Sequence, residues 1–224
     1  MIPAAGAALL FDIDGTLADT DPLHLRAFNT AFAPYGYHFD QAGYSAQLQG
    51  LANADIAGRL LPTLSFEDGM AVLDRKEAGF RDLARTALEP VPGLFDLLNW
   101  AKANGVPLAA VTNAPRANAD LILDGLGIRH HFNAVVIGSE LAHGKPHPLP
   151  YLEGMRLLGA EPDRSVAFED SRTGIASATA AGLLTVGIRT SLSHDDLAAA
   201  GAERSAARYD EPDLMAAILT RVSA

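Results

Sequence analysis

The chain has 224 residues, 49% hydrophobic and 20% charged, which excludes a disordered polymer and leaves room for one sizeable core with a second small lobe. A formal net charge of -10 argues against a nucleic-acid backbone as partner, because such contacts need clustered Lys and Arg, although one local cation site can still hold a small phosphorylated molecule. Cysteine is absent, which excludes disulfide scaffolds and thiolate metal sites.

Residues 2–11 form an uncharged, largely apolar lead-in with no basic residue ahead of it, and Asp12 interrupts it too soon for a signal sequence, so it reads as a strand. No other window approaches the roughly 18 uninterrupted apolar residues of a membrane span. The expectation is a cytoplasmic protein with no membrane partner. The strand runs into Asp12 and Asp14 before the chain turns at Gly15. Packing does not ask for two carboxylates at the end of a buried strand, and they repel one another unless a cation lies close by. At period two both can face one metal ion while Ile13 points into the core.

Asp21 and Pro22 read as the cap and first position of a helix over 22–35. Broken helical pattern follows over 40–48, 53–61 and 66–88, where Met70, Leu73, Phe80, Leu83 and Ala87 fall near helical spacing, with no convincing strand. This predicts an all-helical lobe, closed by the Pro90-Val91-Pro92-Gly93 turn. Helices over 93–104, 116–126, 149–158, 171–181 and 210–220 then alternate with strands over 106–112, 134–138, 165–168 and 184–188. Repeated strand–helix units imply a doubly wound parallel sheet, whose ligands sit outside the carboxyl ends of the strands. Asp12, Thr112 and Glu169 all fall there.

Thr112 and Asn113 end a strand ahead of a helix whose N–H groups suit phosphate oxygens, or else they serve as a cap or turn. Lys145 lies in the stiff Gly144-Lys145-Pro146-His147-Pro148 loop and supplies the cation that two acidic clusters need. Glu169 and Asp170 end another strand; Ser171 or Asp170 can cap the next helix, which leaves one carboxylate unexplained. With Asp12 and Asp14 they form an oxygen-rich set suited to magnesium.

Asp12-Ile13-Asp14-Gly15-Thr16, then Thr112, Lys145 and Glu169-Asp170, resemble in type and order the four motifs of the haloacid dehalogenase superfamily, in its β-phosphoglucomutase-like and phosphoglycolate-phosphatase-like group. The resemblance implies a Rossmann-like core over 1–19 and 89–224 with a helical cap domain inserted over 20–88. It implies Asp12 as nucleophile, Asp14 as general acid and base, and Thr112, Asn113 and Lys145 on the phosphate. Mg2+ would be held by Asp12, the Asp14 carbonyl and Asp170, with Glu169 adding charge. A carboxylate at Asp14 favours phosphate esters over dehalogenation.

Thr20, His24 and Lys76 match hinge and cap positions of the mutase, and Gly50 matches its cap-loop glycine. The two cations that flank that glycine in the mutase are Gln49 and Asn53 here, which favours hydrolysis of a monophosphate. Arg59, Lys76 and Arg116 are candidate substrate contacts. The expected activity is a phosphatase of a sugar phosphate or phosphoglycolate-like ester, the alternatives being a hexose phosphate mutase and a non-catalytic phospho-acceptor. The expected assembly is a monomer or homodimer, the apolar stretch over 197–202 leaving the latter open.

Overall fold

The computed structural model describes residues 3–223; the first residue of the expected opening strand, Ile2, lies outside them. Strand β1 is Ala8–Phe11, shorter than the apolar run that announces it. Helices α1 (Asp21–Phe32), α2 (Gln41–Gln47), α3 (Asn53–Leu60) and α4 (Phe66–Ala84) follow, with no strand among them. The remainder alternates: α5 (Leu94–Ala103), β2 (Leu108–Thr112), α6 (Arg116–Gly125), β3 (Ala134–Ile137), α7 (Leu149–Leu158), β4 (Ser165–Glu169), α8 (Arg172–Ala180) and β5 (Leu184–Ile188). Then come α9 (His194–Ala199), β6 (Arg204–Ala206) and α10 (Pro212–Val222). The sheet is wholly parallel in the order β3-β2-β1-β4-β5-β6.

β1 sits at the centre of this sheet, and all four of its residues are buried. Period two sends Leu9 and Phe11 into one layer with Leu97 of α5, Ile122 of α6 and Ile218 of α10. Ala8 and Leu10 enter the other with Tyr151 and Met155 of α7 and Ala178 of α8. Apolar residues on both faces are what a doubly covered parallel sheet requires. Phe11 also stacks on Phe168 of β4, centroids 4.5 Å apart, tying the strand that leads into Asp12 to the strand that ends in Glu169.

The inserted helices pack on a separate cluster that includes Phe28, Phe32, Tyr44, Ile56 and Leu73. The helix predicted over 66–88 stops at Ala84, and Ala87 is exposed beyond its end. α1 begins at Asp21, so Thr20 and not Asp21 takes the cap position, and the Thr20 hydroxyl makes no cap bond because it is given to Asp14. Ser171 caps α8 by accepting from the Gly174 N–H, which frees Asp170. β6 and α9 have no counterpart in the sequence reading: a three-residue edge strand of Arg, Ser and Ala carries no apolar period. Of the 197–202 stretch, Leu197 is fully buried with Ile175 and Leu192, while Ala198 and Ala199 are exposed.

Leu10 tests this layering. Leu10→Ala is expected to cost about 2–5 kcal/mol, read as a lower urea midpoint with an unchanged m-value.

Candidate active site

Asp12 follows β1 directly, Thr112 ends β2 and Glu169 ends β4, so the three adjacent parallel strands deliver these side chains to one end of the sheet. Lys145 Nζ sits among them, donating to Asp12 Oδ1 at 2.6 Å, Glu169 Oε1 at 2.5 Å and the Val111 carbonyl at 2.7 Å. All three ammonium protons are thereby used. Asn113 fixes the lysine loop: its Oδ1 accepts from the Lys145 N–H and its Nδ2 donates to the Lys145 carbonyl, both at 2.9 Å. The resemblance puts Asn113 on the phosphate; what its side chain does here is hold this loop. Thr112 Oγ1 accepts from the Ala114 N–H at 3.0 Å, which leaves its own proton to give.

Glu169 also accepts from Tyr151 Oη at 2.7 Å and Ser171 Oγ at 3.2 Å. A Cβ on Gly174 would lie within 2.0 Å of three Glu169 side-chain atoms, so only glycine lets the α8 backbone approach this carboxylate. Asp170 lies beside it, accepting from Gln49 Nε2 at 2.6 Å. Gly15 has φ 74°, and a Cβ there would stand 2.1 Å from Asp170 Oδ2. That turn therefore demands glycine on both counts.

Burial pushes the Asp12 carboxyl well above the usual carboxylate range; Lys145 opposes this, while Glu169 and Asp14 add to it. Asp170 is raised for the same first reason, then by Asp21, Asp12 and Glu169. Burial works against the Lys145 charge, yet Asp12 and Glu169 outweigh it and raise its pKa. Asp12, Glu169 and Asp170 offer oxygens within 4.8 Å of one another. Three buried carboxylates around one ammonium are short of positive charge, and their all-oxygen donor set fits a hard divalent cation.

Asp14 does not join that trio. The chain leaves the strand at Phe11, so the period-two expectation fails, although Ile13 does point into the core. Asp14 Oδ1 instead accepts from Thr20 Oγ1 and pairs with His24 Nε2, both at 2.9 Å. His24 Nδ1 lies 2.8 Å from Lys76 Nζ. An ammonium has only donors, so Nδ1 accepts and the ring proton sits on Nε2, aimed at Asp14. The His24 ring is stacked on Phe80 at 3.7 Å, which fixes its plane.

Lys76 also pairs with Glu77 at 3.1 Å, and Glu77 accepts from Asn53 and Asn118. Gly50 closes the rim, its carbonyl accepting from Thr173 Oγ1 at 3.0 Å and Asn113 Nδ2 at 3.2 Å. Arg59 is exposed and donates to the Gln47 carbonyl; Arg116 is engaged by Glu140 through two bonds of 2.7 and 2.6 Å. Neither lines the pocket. The sequence reading missed Asp21, which accepts from Gln49, Tyr44 and Ser191, and also Tyr151, Glu77 and Asn118. Only Asp21 carried a signal, as one of two further carboxylates, with Asp19, close behind Asp14.

Glu77 yields a pH test. Burial raises its pKa, but Lys76, His24 and the two amides outweigh that and hold it at about 2, below the ordinary 4.5. A depressed carboxylate contributes stability above the unfolded value, and that contribution is lost as pH falls from 4.5 towards about 2. Glu77→Gln is expected to be less stable than wild type at neutral pH, with the gap shrinking over that window in parallel denaturant titrations.

A family profile described as haloacid dehalogenase-like hydrolase matches residues 9–188. Protein CbbY of Rhodobacter capsulatus is 34% identical over 220 residues, covering 94% of each chain. Fructose-1-phosphate phosphatase YqaB of Escherichia coli is 33% identical over 184 residues, covering 82% of this chain and 96% of that one. CbbY from Rhodobacter sphaeroides, solved as a mutant with xylulose 1,5-bisphosphate, superposes with a TM-score of 0.80 at 31% identity, covering 94% of this chain and 96% of that one. With four motif positions gathered at one sheet end and a matching profile over most of its length, the chain belongs to the haloacid dehalogenase-like hydrolase family.

Proposed function

We propose that the protein is a magnesium-dependent phosphoric monoester hydrolase that cleaves a small phosphorylated sugar through an aspartyl-phosphate intermediate on Asp12. The observation that carries this reading is the buried Asp12–Lys145–Glu169 arrangement, with Asp170 beside it and Asp14 held apart by Thr20 and His24. Asp12 has an oxygen held by a cation and a position at the mouth of the sheet, as a nucleophile needs. Asp14 has a separate set of partners, as an acid and base needs. The YqaB relative, named for its action on fructose 1-phosphate, supports a sugar phosphate as substrate.

In the first step an Asp12 carboxylate oxygen attacks phosphorus as the bond to the leaving oxygen breaks, and Asp14 gives that oxygen its proton. In the second, Asp14 takes a proton from water as the water oxygen attacks phosphorus, which releases inorganic phosphate and restores Asp12. The Thr112 hydroxyl, whose proton is free, donates to a phosphoryl oxygen, and Lys145, whose three protons are committed, offsets by its charge the negative charge that concentrates there. Magnesium held by Asp12, Asp170 and the Asp14 carbonyl, with Glu169 adding charge, would supply further neutralisation. His24 and Thr20 keep Asp14 aimed. In this reading residues 20–88 act as a cap over a core of 1–19 and 89–224, and Gly50 and Gln49 are its points of contact when closed, excluding bulk water.

The positions at which the mutase carries cations hold neutral amides here, each engaged by a carboxylate. Gln49 donates to Asp170 and Asp21, and Asn53 to Glu77, which supports hydrolysis over isomerisation.

Phosphate release from a panel of sugar phosphates and phosphoglycolate tests the reading. Wild type is expected to release phosphate only with Mg2+ present, and Asp12→Asn to release none; equal release by the variant contradicts the assignment. His24→Ala, which removes a donor to Asp14, is expected to lower kcat by about 10²-fold with a smaller change in KM, the scale of a lost general acid–base contribution.

A further inference from the structure

Beyond His24 and Lys76, the pocket contains a carboxylate that the chemistry above does not use. Glu77 on α4 is buried, with Oε1 accepting from Asn53 Nδ2 at 3.0 Å and Lys76 Nζ at 3.1 Å, and Oε2 accepting from Asn118 Nδ2 at 2.7 Å. Asn118 belongs to α6 of the sheet's own layers and accepts in turn from Arg81 Nη1 at 2.9 Å. The carboxylate is thus pinned from both sides of the crevice, and the lowered pKa keeps it charged at neutral pH.

Glu77, Asn53 and Lys76 all line the pocket that holds Asp12. Glu77 Oε2 has one described donor and so keeps acceptor capacity, and Asn53 Oδ1 accepts from no described residue. Among the described lining residues the lysines and arginines are Lys145 and Lys76 alone. Lys145 is matched by Asp12 and Glu169, and Lys76 by Glu77. This end of the pocket offers acceptors, and its carboxylate is already balanced by Lys76, so no cation is spare for a further anion. A hydroxyl can give such a site its proton, whereas a second phosphate brings only acceptors and like charge.

Resting on the phosphatase reading, we propose that Glu77 is a specificity-determining residue: it binds a hydroxyl at the neutral end of a sugar or polyol monophosphate and rejects a second phosphate there.

The test compares kcat/KM of the full-length protein for fructose 1-phosphate and fructose 1,6-bisphosphate, with Mg2+, in wild type, Glu77→Gln and Asn53→Arg. Wild type is expected to favour the monophosphate by at least about tenfold, as like-charge juxtaposition in a recognition site predicts. Glu77→Gln should shrink that preference mainly through KM, and Asn53→Arg should raise use of the bisphosphate. Wild type using the two esters equally well, or a folded Glu77→Gln retaining the full preference, overturns the proposal. Should Glu77→Gln not fold by circular dichroism, the wild-type ratio and Asn53→Arg decide. Absence of Asp12-dependent release from either ester defeats the phosphatase reading and this proposal together; a preference for the bisphosphate defeats this proposal alone.

Discussion

Lys145 Nζ donates at once to Asp12, Glu169 and the Val111 carbonyl, and without that ammonium two buried carboxylates would face one another unpaired. Breaking a buried pair in this way costs about 3–5 kcal/mol, so the site depends on the lysine for stability as well as chemistry. Much of the surrounding structure serves to keep it there. Three parallel strands converge to supply its partners, Asn113 grips its backbone from both sides, and Gly174 lets α8 approach the Glu169 carboxylate closely. The remaining deficit of positive charge around Asp12 and Asp170 is what suits the trio to a divalent cation.

The inserted helices complete the chemistry by treating the second aspartate differently. Asp14 is two residues from Asp12, yet its carboxylate is turned to Thr20 and His24, and His24 is oriented by Lys76 and Phe80 of α4. Two carboxylates so close in the chain acquire separate environments, which is the requirement for separate roles. The insert also carries Glu77, so in the proposed reading α4 both helps to aim the acid–base residue, through Lys76 and Phe80 on His24, and selects what can reach it.

Much of this was legible in the residues. The apolar run into Asp12, the alternation after Pro92 and the order of Thr112, Lys145 and Glu169 gave the parallel sheet and the crevice, because buried parallel strands read as continuous apolar runs. Less legible were partners that depend on tertiary approach. Asn118 looks like any helical asparagine and Tyr151 like any core tyrosine until α6 meets α4 and α7 meets β4. Arg59 and Arg116 show the converse, since charge alone suggested substrate contacts and local partners hold both away from the pocket. The strand's early end at Phe11 redirected Asp14, a boundary that periodicity does not set.

The central claim is that Asp12 is the nucleophile, and trapping the covalent intermediate tests it most directly. Asp14→Ala protein with Mg2+ would be mixed with radiolabelled sugar phosphate, quenched in acid and mapped by peptide mass spectrometry. The account predicts label on the peptide holding Asp12, sensitive to hydroxylamine and absent in the Asp12→Asn, Asp14→Ala double variant. Label on another residue, or wild-type turnover that passes through no phosphorylated protein in rapid-quench samples, would contradict it.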